Sequence, residues 1–579
     1  MKPKKADAAT CGTDDTAISN DPPPSFRIPE APPFLTPTHA NFDACLATSY
    51  GGFALEASDA LPAAFHQRFR SCLHQLQSTG VLDRRDITQP MGAGTALAPT
   101  RVTRCLIGKP GITYKYLGLR MFAHPWRGSS ATAACQEMRA LSRTLEQRAE
   151  SCGAPRGRSG FNLTLLNRME PGASSGAKVE KDYGMGAVSV NWHADSSLQD
   201  FSTISVYVAQ HPVAAANFDD PAPPPKPPRA RPWKVALRVV HEAEGPSMRA
   251  SATWSGKRDR DTPAVLVPLH DGDAYHMVGP FNHHHQHAVI QPAPASASEG
   301  DDGGDGGDGE EEVRYSSTHR VAVEEGHTLD SVRRRALAAL ATAEAATSAA
   351  PPPAATSTSG QSSSSVSPGV PSVSPGDGAG TRMGRVAAQW SEEQACLDML
   401  EFEWIRQFYV QGAAHRDGLP WWTARLSSLE ELWLGLERLT RRRVESMRGL
   451  RGRSAPPADG LGAEAREEVL ERVGVLHAAL ERRQRMRSAW AQRERDPIFD
   501  RLEDGYRPLP CLYAADAMAP ERRLSGTLPV ELSPVVAELA DMREALRAPP
   551  RKKRKACYQL ARFGVCRIGA TCPFAHPTP

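Results

Sequence analysis

The segment Gly186-Ala187-Val188-Ser189-Val190-Asn191-Trp192-His193-Ala194-Asp195 carries an apolar and small-residue run straight into a His-x-Asp triplet. Side chains two apart on a strand share a face, so the segment reads as a strand presenting His193 and Asp195 together. Further along, His283-His284-His285-Gln286-His287 supplies a second histidine. His285 and His287 share a face there. His287, which enters the apolar run Ala288-Val289-Ile290, is taken as the ligand, with His285 as the alternative. Beyond it, Arg314-Tyr315-Ser316-Ser317-Thr318-His319-Arg320 puts Arg314, Ser316, Thr318 and Arg320 on one face. His319 then points the other way and is set aside as a ligand. Two histidines and a carboxylate make a facial triad for Fe(II) with open positions. A guanidinium flanked by hydroxyls suits a dicarboxylate co-substrate. A His-x-Asp triplet alone is a common accident. With the second histidine and the Arg/Ser strand it points to oxygen activation by iron with 2-oxoglutarate.

Several further segments carry a resemblance. They are Ile107-Gly-Lys-Pro-Gly-Ile-Thr-Tyr-Lys-Tyr-Leu117, Asn162-Leu-Thr-Leu-Leu-Asn167-Arg-Met169, Tyr183-Gly-Met-Gly186 and Trp192-His193-Ala194-Asp195. Pro268-Leu-His-Asp-Gly-Asp-Ala-Tyr275, Ser316-Ser-Thr-His-Arg-Val-Ala322, Glu401-Phe-Glu-Trp-Ile-Arg-Gln-Phe408 and Trp421-Trp422 belong with them. Together they resemble the fat-mass-and-obesity-associated (FTO) RNA demethylase family over most of residues 30–545. The resemblance implies a double-stranded β-helix that removes the methyl group of N6-methyladenosine in single-stranded RNA, or single-stranded DNA. The products would be formaldehyde, succinate and CO2. It implies iron on His193, Asp195 and His287, and 2-oxoglutarate on Asn167, Tyr275, Arg314, Ser316, Thr318 and Arg320. The flipped base would stack between Tyr116 and His193 with Arg104 at its polar edge. Leu117, Val190, Trp192 and Ser196 would complete that pocket. Ser196 departs from the family, which usually carries an acid after the aspartate; base recognition there would use the backbone amide.

A second motif closes the chain. Cys557, Cys566, Cys572 and His576 have the spacing C-x8-C-x5-C-x3-H. Three thiolates and an imidazole complete a closed tetrahedral set, so the zinc would be structural. The pattern resembles CCCH fingers, many of which bind single-stranded RNA, and Phe563 and Phe574 could stack bases. A protein-contact finger is the plainer alternative. The run Arg551-Lys-Lys-Arg-Lys555 reads as a nuclear localisation signal or a phosphate-contacting arm.

The expected fold class is α+β. A jelly-roll catalytic domain with flanking helices spans 31–340, after a disordered tail over 1–30. Helical segments are expected around Ala63–Ser78 and Ala131–Glu150. A low-complexity linker over 341–388 leads to a helical bundle over 389–546 and a basic segment with its finger over 547–579. The stripes Leu397/Leu400/Trp404/Phe408, Leu426/Leu429/Trp433/Leu436/Leu439 and Val469/Val473/Leu476/Leu480 mark the bundle's core. His287 and Arg314 are separated by the acidic Gly/Ser tract Ala295–Glu312, which reads as a tolerated insertion between strands. Pro221–Pro232 is another excursion between strands. Net charge is only +3 over 579 residues, so attraction to nucleic acid must be local. Eight of the eleven cysteines lack metal spacing, which suits a reducing compartment, and neither a signal peptide nor a membrane-spanning run is evident. Two other functions are weighed: a non-catalytic RNA-binding protein working through its finger, and an AlkB-like repair enzyme. The intact triad disfavours the first, and the polar loop Gly172–Tyr183 disfavours the second.

Overall fold

A computed structural model describes residues 34–82, 102–116, 119–128, 131–170, 178–212, 232–239, 262–292, 312–348, 382–410, 419–452, 463–493, 527–529 and 531–548. Two sheets form the catalytic half. One runs in the order Phe53–Glu56, Ala274–Met277, Ile204–Pro212, Glu312–Arg320, Leu163–Met169, Val102–Gly108, His124–Pro125. The other runs Phe34–Leu35, Ala264–Leu269, Trp233–Val239, His285–Ile290, Ala187–His193, Lys178–Val179. From Leu163 to Arg320 the chain passes repeatedly between the two sheets with antiparallel neighbours. That is a double-stranded β-helix.

Strand period sets the layers. Val206 and Val208 point between the sheets, where they meet Val235, Leu237, Val265, Val267 and Tyr275. Tyr207, Ala209, Val313 and Tyr315 point outward and are covered by Ala63–Ser78 and Ala133–Ser151. Phe65, Phe69, Cys72, Leu73 and Leu76 form the buried stripe of the first helix. The second starts two residues later than the expected Ala131 because Thr132 is its N-cap, accepting from the Cys135 amide at 3.2 Å.

The C-terminal helices pack on the catalytic half around Phe122. Its ring lies edge-on to Phe408 (4.9 Å), Trp422 (5.0 Å) and Trp404 (6.0 Å). Beside it the buried Arg120 donates to the Glu403 carboxylate and carbonyl and to Thr113 Oγ1, and lies 4.4 Å over the Trp404 ring. These contacts brace the Thr113–Tyr116/Leu119–Phe122 hairpin. The sequence stripes are core: Leu397, Leu400, Trp404 and Phe408 are buried, as are Leu426, Leu429, Trp433, Leu436 and Leu439. The first stripe is not one regular α-helix, because Met399–Ile405 forms a π-helical turn. The expected linker is shorter at both ends. Leu329–Ser348 and Arg382–Asp398 run into it, and the alanine-rich 341–346 stretch favours helix over coil. Among the described residues no helix is long and apolar enough to cross a membrane.

Candidate active site

His193, Asp195 and His287 come together between the sheets, with one potential ligand atom from each lying within 4.8 Å of the others. His193 ends its strand opposite His287, and their ring centroids are 4.2 Å apart. Asp195 lies beyond the strand end, so strand alternation does not place it as expected. The Asn282 side chain places it instead, accepting from the Asp195 amide at 2.9 Å and donating to its carbonyl at 2.8 Å. His193 Nδ1 is 2.8 Å from the Asn191 carbonyl. A carbonyl only accepts, so the ring proton sits on Nδ1 and the Nε2 lone pair is left for a metal. Burial, followed by the neighbouring His193, pushes the His287 pKa down to about 3. Burial alone would raise that of Asp195, but Arg320 and the two histidines outweigh it and hold the carboxyl below its usual range. Two imidazoles and one carboxylate are the donor set a divalent iron takes.

His285, the alternative ligand, is turned away. Its ring stacks on Phe281 at 4.2 Å, and both nitrogens lie against carbonyl oxygens, of Phe281 at 3.1 Å and Ser49 at 2.9 Å. His319 also points away, between Thr164 Oγ1 and Ser317 Oγ, each at 3.0 Å.

The expected co-substrate residues lie in rows across the larger sheet. Arg104, Asn167, Ser316 and Val208 are in register, as are Leu165, Thr318, Val206 and Tyr275. Arg314 is 1% exposed, shares a hydrogen bond with Tyr275 and touches Met169 Sδ at 3.2 Å. Its Nε has no partner among the described residues. A buried guanidinium without a carboxylate is costly, and the remote carboxylate of 2-oxoglutarate would satisfy it. Arg320, also expected at the co-substrate, forks Asp195 through Nε at 2.9 Å and Nη2 at 2.8 Å.

The residues expected to hold the base fall in different places. Arg104 Nε donates to Asn167 Oδ1 at 3.2 Å, placing it at the seam with the co-substrate row. Tyr116 ends the Thr113–Tyr116 strand, and Leu117 lies outside the described residues. Ser196 is exposed and hydrogen-bonds the Tyr114 hydroxyl. Tyr114, missed from the sequence, sits under the Arg320 guanidinium at 5.0 Å; its signal was its place two residues before Tyr116. Trp192 is turned to the outer face, donating to Glu180 at 2.9 Å beneath Arg238. Val190 faces inward with Met169, Trp233 and Val289. Strict alternation would put 190 and 192 on one side, but register shifts opposite Val289 insert a bulge between them. The zinc ligands Cys557, Cys566, Cys572 and His576 and the basic run lie outside the described residues.

Burial also holds His211, His284 and His327 neutral, with pKa values pushed down to about 4, and His319 down to about 3. Their folded pKa values lie below the unfolded ~6.5, so the unfolded chain takes up protons first as pH falls. Stability is therefore complete above pH ~6.5 and declines below it, in a window above the ordinary carboxylate range. The melting temperature of the metal-free protein is expected to drop between pH 6.5 and 5. His319→Asn should flatten that slope, since one fully buried neutral histidine contributes up to ~1.4 kcal/mol per pH unit. A flat profile in the parent protein would contradict this.

The fold and site define an iron- and 2-oxoglutarate-dependent oxygenase of jelly-roll type. Residues 40–323 match the FTO catalytic domain and residues 381–541 the FTO C-terminal domain; the chain belongs to the FTO family. Residues 552–578 match the C-x8-C-x5-C-x3-H zinc finger. The alpha-ketoglutarate-dependent dioxygenase FTO of Xenopus laevis is 23% identical over 527 residues, covering 83% of this chain and 88% of the relative. Solved structures with some likeness include a dioxygenase for auxin oxidation in rice (12% identity, 49% of this chain and 79% of that one, TM-score 0.25). Another is a 2OG-Fe(II) oxygenase-family oxidoreductase from Burkholderia pseudomallei (13% identity, 49% and 93%, TM-score 0.22). The jelly-roll assignment rests on the strand order, not on these two. Membership implies Fe(II) and 2-oxoglutarate, and the finger implies zinc.

Proposed function

We propose that the chain oxidatively demethylates N6-methyladenosine in single-stranded RNA. The observation that carries the reading is the pairing of the His193–Asp195–His287 cluster with the buried guanidinium of Arg314, whose Nε has no partner and which faces no carboxylate among the described residues. His193, Asp195 and His287 would hold iron, and Arg314, with Tyr275, Asn167, Ser316, Thr318 and Arg320, the co-substrate. When bound, iron and 2-oxoglutarate supply the oxidising chemistry with O2, and the hydroxylated methyl group leaves as formaldehyde. The protein's own residues do the positioning. Arg320 and Asn282 fix Asp195 from its carboxylate and its backbone. Asn191 sets the His193 tautomer. Tyr114 and Ser196 line the side where the base would enter, with Tyr116 and Arg104 as its expected contacts. The C-terminal Cys557/Cys566/Cys572/His576 finger would bind zinc and hold long RNA near the site by effective concentration.

The test is formaldehyde release from a short RNA carrying one N6-methyladenosine. Arg314→Lys should raise the apparent KM for 2-oxoglutarate by tenfold or more, since losing a charge-assisted fork costs ~1.5–3 kcal/mol. Cys557→Ser should keep activity on the short RNA and lose it on long RNA at limiting concentration. No formaldehyde from the parent protein would end the reading. An unchanged KM in Arg314→Lys would remove Arg314 from the co-substrate site.

A further inference from the structure

The loop that follows Asp195 carries two non-glycine residues with left-handed backbone, Ser197 (φ 59°) and Phe201 (φ 56°). A bulky side chain rarely adopts that conformation, and it persists only where the surroundings enforce it. Here they do. Val323 donates to the Ser197 carbonyl at 3.0 Å, Gln199 to Val321 at 2.9 Å and Thr203 to Arg158 at 2.8 Å. Arg158 Nη1 donates to the Asp200 carbonyl at 2.9 Å. The strained backbone holds the Phe201 ring outward, 39% exposed; it is the sole aromatic among the exposed large hydrophobic residues described. Its ring packs on His283 with centroids 4.8 Å apart and planes 32° apart. The Phe201 amide also donates to His283 Nε2 at 3.3 Å, which locks the two rings together. His283 follows Asn282, the residue that grips Asp195. Phe201 is six residues from Asp195 and so lies at most ~20 Å from it. Arg158, exposed beside the loop, has no carboxylate partner among the described residues.

We propose that Phe201, backed by His283 and flanked by Arg158, is a stacking shelf for an unpaired base next to the one held at the metal cluster. It rests on the reading of the substrate as single-stranded nucleic acid. Beyond its contact with His283 the ring is still 39% exposed, and every base offers a π face to such a ring. The neighbouring guanidinium suits the phosphate that follows.

The test uses the full-length chain and short single-stranded RNA with the fluorescent base 2-aminopurine at each of three positions on either side of the target adenosine. Stacking should quench at least one position. Phe201→Trp should keep the quenching, and Phe201→Ala and Phe201→Leu should both lose it. The KM for a methylated oligonucleotide should rise about 5- to 150-fold in Phe201→Ala, the range expected for one stacked base. Turnover of the free methylated nucleoside should be unchanged. The leucine variant keeps apolar packing, so quenching and KM restored by Phe201→Leu would make the ring structural and overturn the shelf. So would quenching that is identical in parent and Phe201→Ala. Because quenching is read on unmethylated RNA without turnover, it stands apart from the demethylation reading. Quenching lost in Phe201→Ala with no demethylation by the parent would leave the shelf and remove the assigned chemistry.

Discussion

His287→Ala is expected to abolish iron binding and 2-oxoglutarate turnover while leaving the fold intact, and His285→Ala is expected to do the reverse. The two histidines are two residues apart on one strand, yet their surroundings separate them. His287 faces His193 and Asp195, is kept neutral by burial and offers a nitrogen to the cluster. His285 is stacked on Phe281 with both nitrogens at backbone carbonyls. Loss of His287 leaves two ligands for the metal, too few for the facial arrangement; turnover should fall to background. Loss of His285 removes a buried hydrogen bond and ring packing, so it should lower stability by about 1–3 kcal/mol with turnover retained. Iron content, 2-oxoglutarate consumption and melting temperature, measured on both variants, distinguish them. Turnover lost in His285→Ala and kept in His287→Ala would mean the cluster is misassigned.

Arg487→Ala is expected to be the most damaging single change in the helical domain. Arg487 is buried between two carboxylates. It forks Glu401 at 3.0 and 2.9 Å and reaches Glu437 at 2.6 Å. Arg406 and Trp433 complete the surroundings of Glu401, whose pKa is held down to about 2 by these arginines against the effect of burial. A buried ion pair adds little net stability, but removing one partner strands a charge and costs about 3–5 kcal/mol. For a domain of this size that lowers the melting temperature by roughly 10 °C. The damage should reach the site as well, because Glu401 lies in the same π-helical turn as Glu403, the anchor of Arg120. Arg487→Ala combined with Glu401→Gln should be less damaging than the sum of the single changes, since one of the two carboxylates that lose Arg487 is then neutral. A loss below ~1 kcal/mol in Arg487→Ala would show that water already reaches this cluster.

The chemistry of the site was legible because its carriers are few and periodic. Arg314, Ser316 and Thr318 share a face, as strand alternation requires, and His319 faces away for the same reason. What alternation could not supply was the partner of each side chain. Arg320 has the parity expected for co-substrate, but its fork onto Asp195 could not be read from that parity. Trp192 and Val190 were separated by a bulge that no local pattern announces. The helical stripes were equally plain, because a core needs only apolar spacing. The charged core beneath them was hidden. Arg482-Arg483-Gln484-Arg485-Met486-Arg487 has the composition of a solvated helix face, and only packing shows Arg483 and Arg487 to be buried. Asn282, standing between Phe281 and the histidine cluster, gave no sign that it fixes the backbone of a residue 87 positions away.

The most direct measurement is quantitative mass spectrometry of nucleosides from cellular RNA incubated with the purified full-length chain, Fe(II) and 2-oxoglutarate, with Asp195→Ala in parallel. The account predicts that N6-methyladenosine falls and that succinate is formed in at least matching amount. Other methylated nucleosides should change less, and nothing should change with Asp195→Ala. Unaltered N6-methyladenosine in the presence of active 2-oxoglutarate turnover would contradict it.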